Sequence, residues 1–129
     1  MRSLIFAASL LLATPAFATE WIFCSNADDT AAVGVLVGGF DFVNISAVTM
    51  HAGDTDWASS ETYGPGDPIW PAEAYIGDDQ IIIDFTDDEN NETLAELRVY
   101  LAEEGGDYVQ GGVLRIPGHG AWVVTCEGP

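Results

Sequence analysis

The sequence predicts an all-β protein, built as a small antiparallel barrel of eight or nine short strands. Apolar and polar residues alternate with a period of two in short runs, and Gly, Pro, Asp and Asn interrupt those runs at short intervals. The two cysteines, Cys24 and Cys126, fall in the first and last candidate strands. These observations predict a barrel closed by a disulfide between its first and last strands, with a β-sandwich as the alternative.

The N-terminal segment, residues 1–18, has the pattern of a cleaved secretory signal peptide. It carries a positive charge at Arg2, an apolar run over residues 4–13 and a small residue at Ala18, after which we expect cleavage. The apolar run is too short to cross a bilayer, which needs about 20 residues. We therefore expect residues 19–129 to form a single β-rich domain in the periplasm or outside the cell, without a membrane anchor.

Export into an oxidising compartment predicts that Cys24 and Cys126 are bonded to each other. A disulfide requires the two α-carbons to lie within about 7 Å. A closed up-and-down barrel meets this requirement because its first and last strands are neighbours.

The first half of the domain contains three candidate strands. Residues 32–39 alternate with valines on one face, and residues 43–50 continue in the same β-branched style. Residues 57–63 are more polar and predict a weak or edge strand. Pro65 and Gly66 follow in a turn, because proline presets one backbone angle and glycine accepts a positive one.

The second half adds further strands. Residues 69–76 predict an edge strand, since Pro71 has no N–H to donate to a ladder. Residues 80–86 alternate with Ile and Phe on one face. Residues 108–116 and 121–126 complete the set and form a hairpin through a glycine-containing turn.

Residues 91–104 fit either a strand or a helix. In a helix Asn91 would be the N-terminal cap and three leucines would share a face, which would make the fold α+β. In a strand, alternate residues from Ala95 to Leu101 would share a face. The strand is the favoured interpretation, because the neighbouring segments are also predicted strands and the central residues are β-prone.

A hairpin between residues 80–86 and this strand predicts an ion pair. A register that sets Phe85 opposite Leu97 brings Asp84 across from Arg98, an attractive cross-strand pair.

The charge balance restricts the partners. The chain has 21 acidic and three basic residues, a formal net charge of −18, and after residue 18 only Arg98 and Arg115 are cationic. Nucleic acid is excluded, because phosphate binding depends on Lys and Arg. The imbalance favours a basic protein partner, divalent cations or a salty medium that screens self-repulsion.

Catalytic motifs are absent from the sequence: it has no nucleophile elbow, zinc-protease motif, phosphate loop or dinucleotide fingerprint. We expect no enzymatic activity and no cofactor. The acidic stretch Asp87, Asp88 and Glu89 offers candidate calcium ligands, because Ca²⁺ binds carboxylate oxygens. The stretch lacks EF-hand spacing, and a solvated turn is the simpler interpretation.

Aromatic residues near the glycine- and proline-containing loop are candidate binding residues at the surface: Trp57, Tyr63 and Trp70. Aromatic side chains at the mouth of a barrel would hold a small ligand. Packing of the core is the simpler interpretation for most of the tryptophans and tyrosines.

Residues 57–64, WASSETYG, carry a family resemblance. The export signal, the terminal cysteines and the short strands make the chain similar to small periplasmic proteins of Gram-negative bacteria. More distantly it resembles the periplasmic inhibitors of c-type lysozyme, which are antiparallel barrels with a disulfide. That resemblance implies inhibitor-like binding of a basic protein. It implies no site residue, because the family's glycine after the serine pair is absent here.

Three functions are consistent with these observations. The first is a non-enzymatic binding module for a basic protein. The second is a barrel that holds a small ligand or is stabilised by calcium. The third is an envelope protein without a specific ligand.

Overall fold

The computed structural model of the protein describes residues 19–38, 44–89 and 92–128. These residues form ten strands and no helix: β1 (Glu20–Ser25), β2 (Ala31–Gly38), β3 (Asn44–Ala52), β4 (Thr55–Ala58), β5 (Asp67–Pro68), β6 (Trp70–Ile76), β7 (Gln80–Thr86), β8 (Thr93–Glu104), β9 (Asp107–Ile116) and β10 (Gly120–Glu127). The described segments contain no helix long and apolar enough to span a bilayer. The expected signal peptide, residues 1–18, and the possible helix cap Asn91 lie outside the described residues.

All ten strands belong to one sheet, in the order β5-β4-β3-β2-β1-β10-β9-β8-β7-β6. Neighbours pair antiparallel, apart from the two-residue strand β5, which runs parallel to β4. The sheet curls into a nearly closed barrel, and β3 contacts β6 across the remaining seam. The predicted all-β barrel is confirmed, with one sheet in place of the two that a sandwich requires.

The disulfide joins the first and last strands, as predicted. Cys24 lies directly opposite Cys126 in the β1–β10 ladder, with an α-carbon distance of 4.0 Å. That ladder has only three residue pairs, so few backbone hydrogen bonds hold the first and last strands together. The covalent bond reinforces the contact between the first and last strands, which lies in the middle of the strand order.

Strand β8 decides between the two interpretations of residues 91–104. It pairs with β7 over residues 93–100 and with β9 over residues 96–104, and this pairing excludes the α+β alternative. Ala95, Leu97 and Val99 are buried, as the period-two pattern predicts. Long-range pairing with two neighbours outweighs the helical spacing of the leucines.

The predicted register of the β7–β8 hairpin is wrong by two residues. Leu97 lies opposite Ile83, and Phe85 lies opposite Ala95. A β-bulge between Phe85 and Thr86 displaces the pairing next to the loop. Registers that differ by two residues place the same side chains on the same face, so alternation alone cannot distinguish them.

The barrel interior is filled mainly by aliphatic side chains. The largest fully buried residues are Phe85, Ile22, Ile69, Ile81, Ile83, Leu97, Leu114, Ile116, Val33, Val35, Val48 and Val99. Each such side chain stabilises the fold by about 1.5–3 kcal/mol relative to an exposed one. The four tyrosines are all at least 40% exposed, so the expectation that most tyrosines pack in the core is wrong.

The strand predicted over residues 57–63 ends earlier than expected. Strand β4 stops at Ala58, and residues 59–66 form a loop that returns to pair β5 with β4. The polar residues of this segment belong to the loop and not to a strand. This loop borders two depressions on the surface.

Candidate functional site: an aromatic and acidic groove

A groove with a volume of about 430 Å³ lies on the outer face of β1, β2 and β3 beside the 59–66 loop. We call it the aromatic-acidic groove and define it by five of the residues that line it: Phe23, Asp29, His51, Asp56 and Tyr63. A second depression of about 560 Å³ lies on the other side of the loop, and Gly64 and Pro65 line both. The loop is therefore a ridge between two depressions.

The groove runs along β2 because this strand contributes only small outward side chains. Gly34 lies between Phe23 and Thr49 in the register, and Ala32 lies between Ser25 and His51. Successive side chains of a strand alternate between the two faces, so these residues face away from the buried core. Ala32 leaves an open space between the taller side chains of the neighbouring strands, whereas the space above Gly34 is taken by the ring of Phe23.

One wall is aromatic. The ring of Phe23 lies over Gly34, where an added Cβ would come within 2.6 Å of the phenyl Cε1. Trp21, two residues earlier on the same face, stacks on Phe23 with ring centroids 5.3 Å apart and an interplanar angle of 12°. Phe23 remains 50% exposed. The pair presents an aromatic surface that is fixed by its own packing and open to a partner.

Tyr63 reaches this wall from the loop. The buried Ser59 extends the sheet beyond β4, since its N–H donates to the Val48 carbonyl and its hydroxyl accepts from the Val48 N–H. A turn follows in which the Tyr63 N–H donates to the Ser60 carbonyl over 3.1 Å. The phenol ring then meets Trp21 edge to face, with centroids 5.8 Å apart.

Glycine fixes the end of the loop. Gly66 has a φ of 132°, and a Cβ there would overlap the backbone carbonyl of Asp56. Only glycine combines this backbone angle with so close an approach. The loop is thereby held against β4, next to one of the two acidic residues of the groove.

The acidic end of the groove begins at the β1–β2 turn. The Asn26 side-chain oxygen accepts hydrogen bonds from the N–H groups of Thr30 and Ala31, at 2.9 and 3.1 Å. Asp29 has a left-handed φ of 55° in this turn. Its carbonyl oxygen lies 3.2 Å from Nε2 of His51, so the turn is tied to β3.

Asp56 completes this end from β4, where it lies opposite His51 in the ladder. Two aspartates thus line a groove whose opposite wall is aromatic. Both arginines of the domain lie elsewhere, on β8 and β9, and each forms an ion pair there. The groove therefore has a local excess of negative charge.

The candidate binding residues are only partly brought together. Tyr63 and Trp57 both line the groove, but Trp57 is 6% exposed and its ring packs against that of His119, with centroids 5.0 Å apart. Its expected surface position is wrong, because Trp57 faces the core in the β3–β4 pair. Trp70 is 43% exposed on β6 and is not among the residues that line the groove.

The calcium hypothesis gains no support from the described acidic residues. Asp87, Asp88 and Glu89 follow β7, and no group of three His, Cys, Asp or Glu side chains within residues 19–38, 44–89 and 92–128 is arranged to hold a metal ion. The stretch is interpreted as a turn.

Sequence reasoning missed Phe23, Asp29 and His51 as parts of one site. The spacing of Trp21 and Phe23 does carry a signal, because two aromatic residues at i and i+2 of a strand share a face. The association of these residues with Asp29, His51 and Tyr63 depends on strand order and on the returning loop.

Comparisons of the chain with protein-family models, curated proteins and solved structures give no match. The resemblance of residues 57–64 to lysozyme inhibitors therefore stays an expectation. The geometry of the groove and the charge of the chain carry the functional argument.

Proposed function

We propose that the protein is a secreted or periplasmic, non-enzymatic binding module that holds a lysine or arginine side chain of a basic protein in the aromatic-acidic groove. The observation that carries this proposal is the lining of one groove by Phe23 and Tyr63 together with Asp29 and Asp56.

This combination suits a cationic side chain. A guanidinium or ammonium group is attracted to the face of an aromatic ring, and carboxylates supply the opposite charge. Arginine fits best, because its planar group stacks on rings and forms paired hydrogen bonds to carboxylates. The net charge of −18 adds long-range attraction, which accelerates the encounter with a basic protein.

The packing of the interior supports a partner bound outside the barrel. The buried side chains of the described residues form one continuous cluster that includes residues from nearly all the longer strands. The groove lies on the opposite face of β1–β3 and needs no opening of the barrel. A surface groove therefore accounts for binding more simply than a ligand held inside.

The disulfide supports an oxidising location. A Cys24–Cys126 bond in a small β protein is consistent with the periplasm or the extracellular medium, where such bonds persist.

The test uses residues 19–129 and two probes, measured by isothermal titration calorimetry. One probe is a c-type lysozyme as a folded basic protein, and the other is a capped tetra-arginine peptide with its citrulline counterpart as the uncharged control. We expect saturable binding of lysozyme and of the arginine peptide at low salt, weaker binding at high salt, and no binding of the citrulline peptide.

Two variants locate the site. The pair Asp29→Asn and Asp56→Asn should raise Kd at least tenfold, equivalent to about 1.4 kcal/mol. Asparagine tolerates the left-handed backbone at position 29. The control pair Asp54→Asn and Asp107→Asn removes the same charge outside the groove and should change Kd less than threefold.

Tyr63→Ala tests the aromatic wall and should also weaken binding at least tenfold, without a change in net charge. Equal losses in the groove pair and the control pair would reduce the binding to general electrostatics. Absence of saturable binding of both cationic probes at low salt would overturn the proposal.

A further inference from the structure

His51 lines the aromatic-acidic groove from β3, where it is partly buried. The other titratable side chains among the lining residues are Asp29, Asp56 and Tyr63. Aspartate and tyrosine ordinarily titrate outside the interval from about pH 5 to 8, whereas histidine ordinarily titrates within it. Of the described lining residues, His51 is thus the one whose residue type allows a change of charge near neutral pH.

Two elements hold His51 at the acidic end of the groove. Asp56 on β4 lies directly opposite it, an arrangement that sets the two Cβ atoms about 5 Å apart on one face of the sheet. In the β1–β2 turn, the carbonyl oxygen of Asp29 lies 3.2 Å from Nε2 of the imidazole. Ala32, opposite on β2, brings no charge. A charge on His51 therefore arises beside the carboxylates that attract a cationic ligand.

The remaining surroundings of His51 are acidic or face elsewhere. Asp28 and Asp54 lie in the two adjacent turns and add negative charge. The second histidine, His119, packs against the ring of Trp57, which is buried and points to the opposite face of β4 from Asp56. Both arginines of the domain lie in ion pairs on β8 and β9. His51 is therefore the side chain that can place a positive charge at this end of the groove.

Protonation of His51 changes the charge of the groove without breaking the contact that holds the ring. A carbonyl oxygen only accepts hydrogen bonds, so Nε2 carries the hydrogen of the neutral ring and donates it to Asp29. The additional proton is then taken up at Nδ1. The hydrogen bond from Nε2 persists in both states, and the two carboxylates of the groove gain a cation of the protein itself as a neighbour.

We propose that protonation of His51 releases the cationic side chain from the aromatic-acidic groove, so that the protein binds a basic partner at neutral pH and releases it in acid. This inference rests on the proposed function and adds regulation to it. The imidazolium repels an incoming guanidinium or ammonium group. It also attracts the carboxylate of Asp56, which is then less available to the ligand.

The coupling acts in both directions. If a proton on His51 weakens the binding of a cation, a bound cation must weaken the binding of the proton to the same extent. Binding of an arginine side chain therefore expels a proton from those molecules in which His51 is protonated. The expelled proton gives a measurement that does not depend on any variant.

Isothermal titration calorimetry of residues 19–129 with the capped tetra-arginine peptide tests the proposal. Arginine keeps its charge throughout this pH range, so a pH dependence cannot come from the side chains of the probe. At constant low ionic strength, Kd should be at least fivefold higher at about pH 5.5 than at about pH 7.5, the lower end of the usual range for coupled sites. At about pH 6.5, titrations in buffers with different ionisation enthalpies should show proton release on binding.

Three variants assign the effect. His51→Gln cannot take up a proton, and its amide can still donate to the Asp29 carbonyl; the ratio of its Kd values at the two pH values should fall below twofold, without proton release. His51→Arg carries a permanent charge and should bind the peptide at least fivefold more weakly than the wild type at about pH 7.5. His119→Gln is the matched control and should keep the pH dependence of the wild type. Near-ultraviolet circular dichroism verifies the fold of each variant.

The outcomes separate this inference from the proposed function. Wild-type binding that is equally tight at both pH values, without proton release, overturns the inference and leaves the proposed function intact. The inference also falls if His51→Gln keeps the pH dependence or if His119→Gln loses it. A wild type that does not bind the arginine peptide even at about pH 7.5 overturns both.

Discussion

Asp84 and Arg98 form an ion pair across the β7–β8 ladder without being opposite each other. Arg98 Nη2 lies 2.8 Å from Asp84 Oδ1, although Asp84 faces Glu96 and Arg98 faces Ile82. The guanidinium reaches diagonally by two residues, and its Nη1 also donates to the carbonyl of Leu97. It neutralises the carboxylate of Asp84, which lies opposite the carboxylate of Glu96. Without the arginine, two like charges would oppose each other, which is unfavourable in a sheet.

Replacing Arg98 by Met should lower the free energy of unfolding by about 1 kcal/mol, since the ion pair is partly exposed and the like-charged Asp84 and Glu96 remain opposed. Urea denaturation at low and high NaCl measures the effect, which should shrink in high salt. Arg98→Lys retains the charge and is the control. A loss of stability that grows with salt would contradict an electrostatic cause.

Gly112 should be far less tolerant of alanine than Gly111. A Cβ at Gly112 would overlap the backbone carbonyl of Arg98, whereas a Cβ at Gly111 meets only the Val124 carbonyl, at 3.5 Å. We expect Gly112→Ala to cost about 2 kcal/mol or more of unfolding free energy, as for overpacked sites. Gly111→Ala should stay within about 0.5 kcal/mol, as for ordinary surface substitutions. Urea denaturation of both variants checks this, and equal stabilities would show that β8 and β9 can separate without cost.

The disulfide should contribute strongly to stability. The Cys24–Cys126 bond closes a loop with a sequence separation of 102, and the ladder beside it has three residue pairs. Replacing both cysteines by serine should lower the unfolding free energy by about 2–5 kcal/mol. Guanidinium denaturation of the variant, and of the wild type with and without a reductant, provides the measurement. A reduced wild type as stable as the oxidised protein would show that the β1–β10 contact holds without the bond.

Sodium chloride should stabilise the protein, and micromolar calcium should add nothing to its effect. With 21 acidic and three basic residues, the folded chain repels itself, and added salt screens that repulsion. We expect the melting temperature to rise with NaCl, and micromolar CaCl₂ or EDTA to have no further effect at matched ionic strength. A rise with micromolar calcium alone would indicate a specific site and would restore the calcium hypothesis for Asp87, Asp88 and Glu89.

The barrel could be predicted because its local patterns agree with its global pairing. The run from Gln80 to Thr86 is a strand with the predicted bounds, and its buried apolar residues, Ile81, Ile83 and Phe85, are those that alternation selects. The cysteine positions added the contact between the first and last strands, which local patterns cannot supply. The Asp84–Arg98 pair was predicted correctly although the predicted register was wrong. A long arginine side chain reaches both the directly opposite position and the diagonal one.

The groove could not be predicted in the same way. Phe23, His51 and Tyr63 belong to two strands and a loop, and their proximity depends on strand order and on the return of residues 59–66 over the outer face. The aromatic side chain of Trp57 was compatible with a position at the surface as well as with one in the core. Its burial follows from its place opposite Met50 in the β3–β4 ladder, which the sequence pattern did not reveal.

The position of the disulfide also determines how the molecule responds to mechanical force. Cys24 and Cys126 lie in the first and last strands, so tension applied to the chain outside the two cysteines passes through their covalent bond and not through the residues between them. The hydrogen-bonded strands between the cysteines carry no load while the bond is intact. A chain pulled from both sides of the disulfide therefore loses at most the pairing of residues 20–23 in β1 and of Glu127 in β10 until a reductant opens the bond.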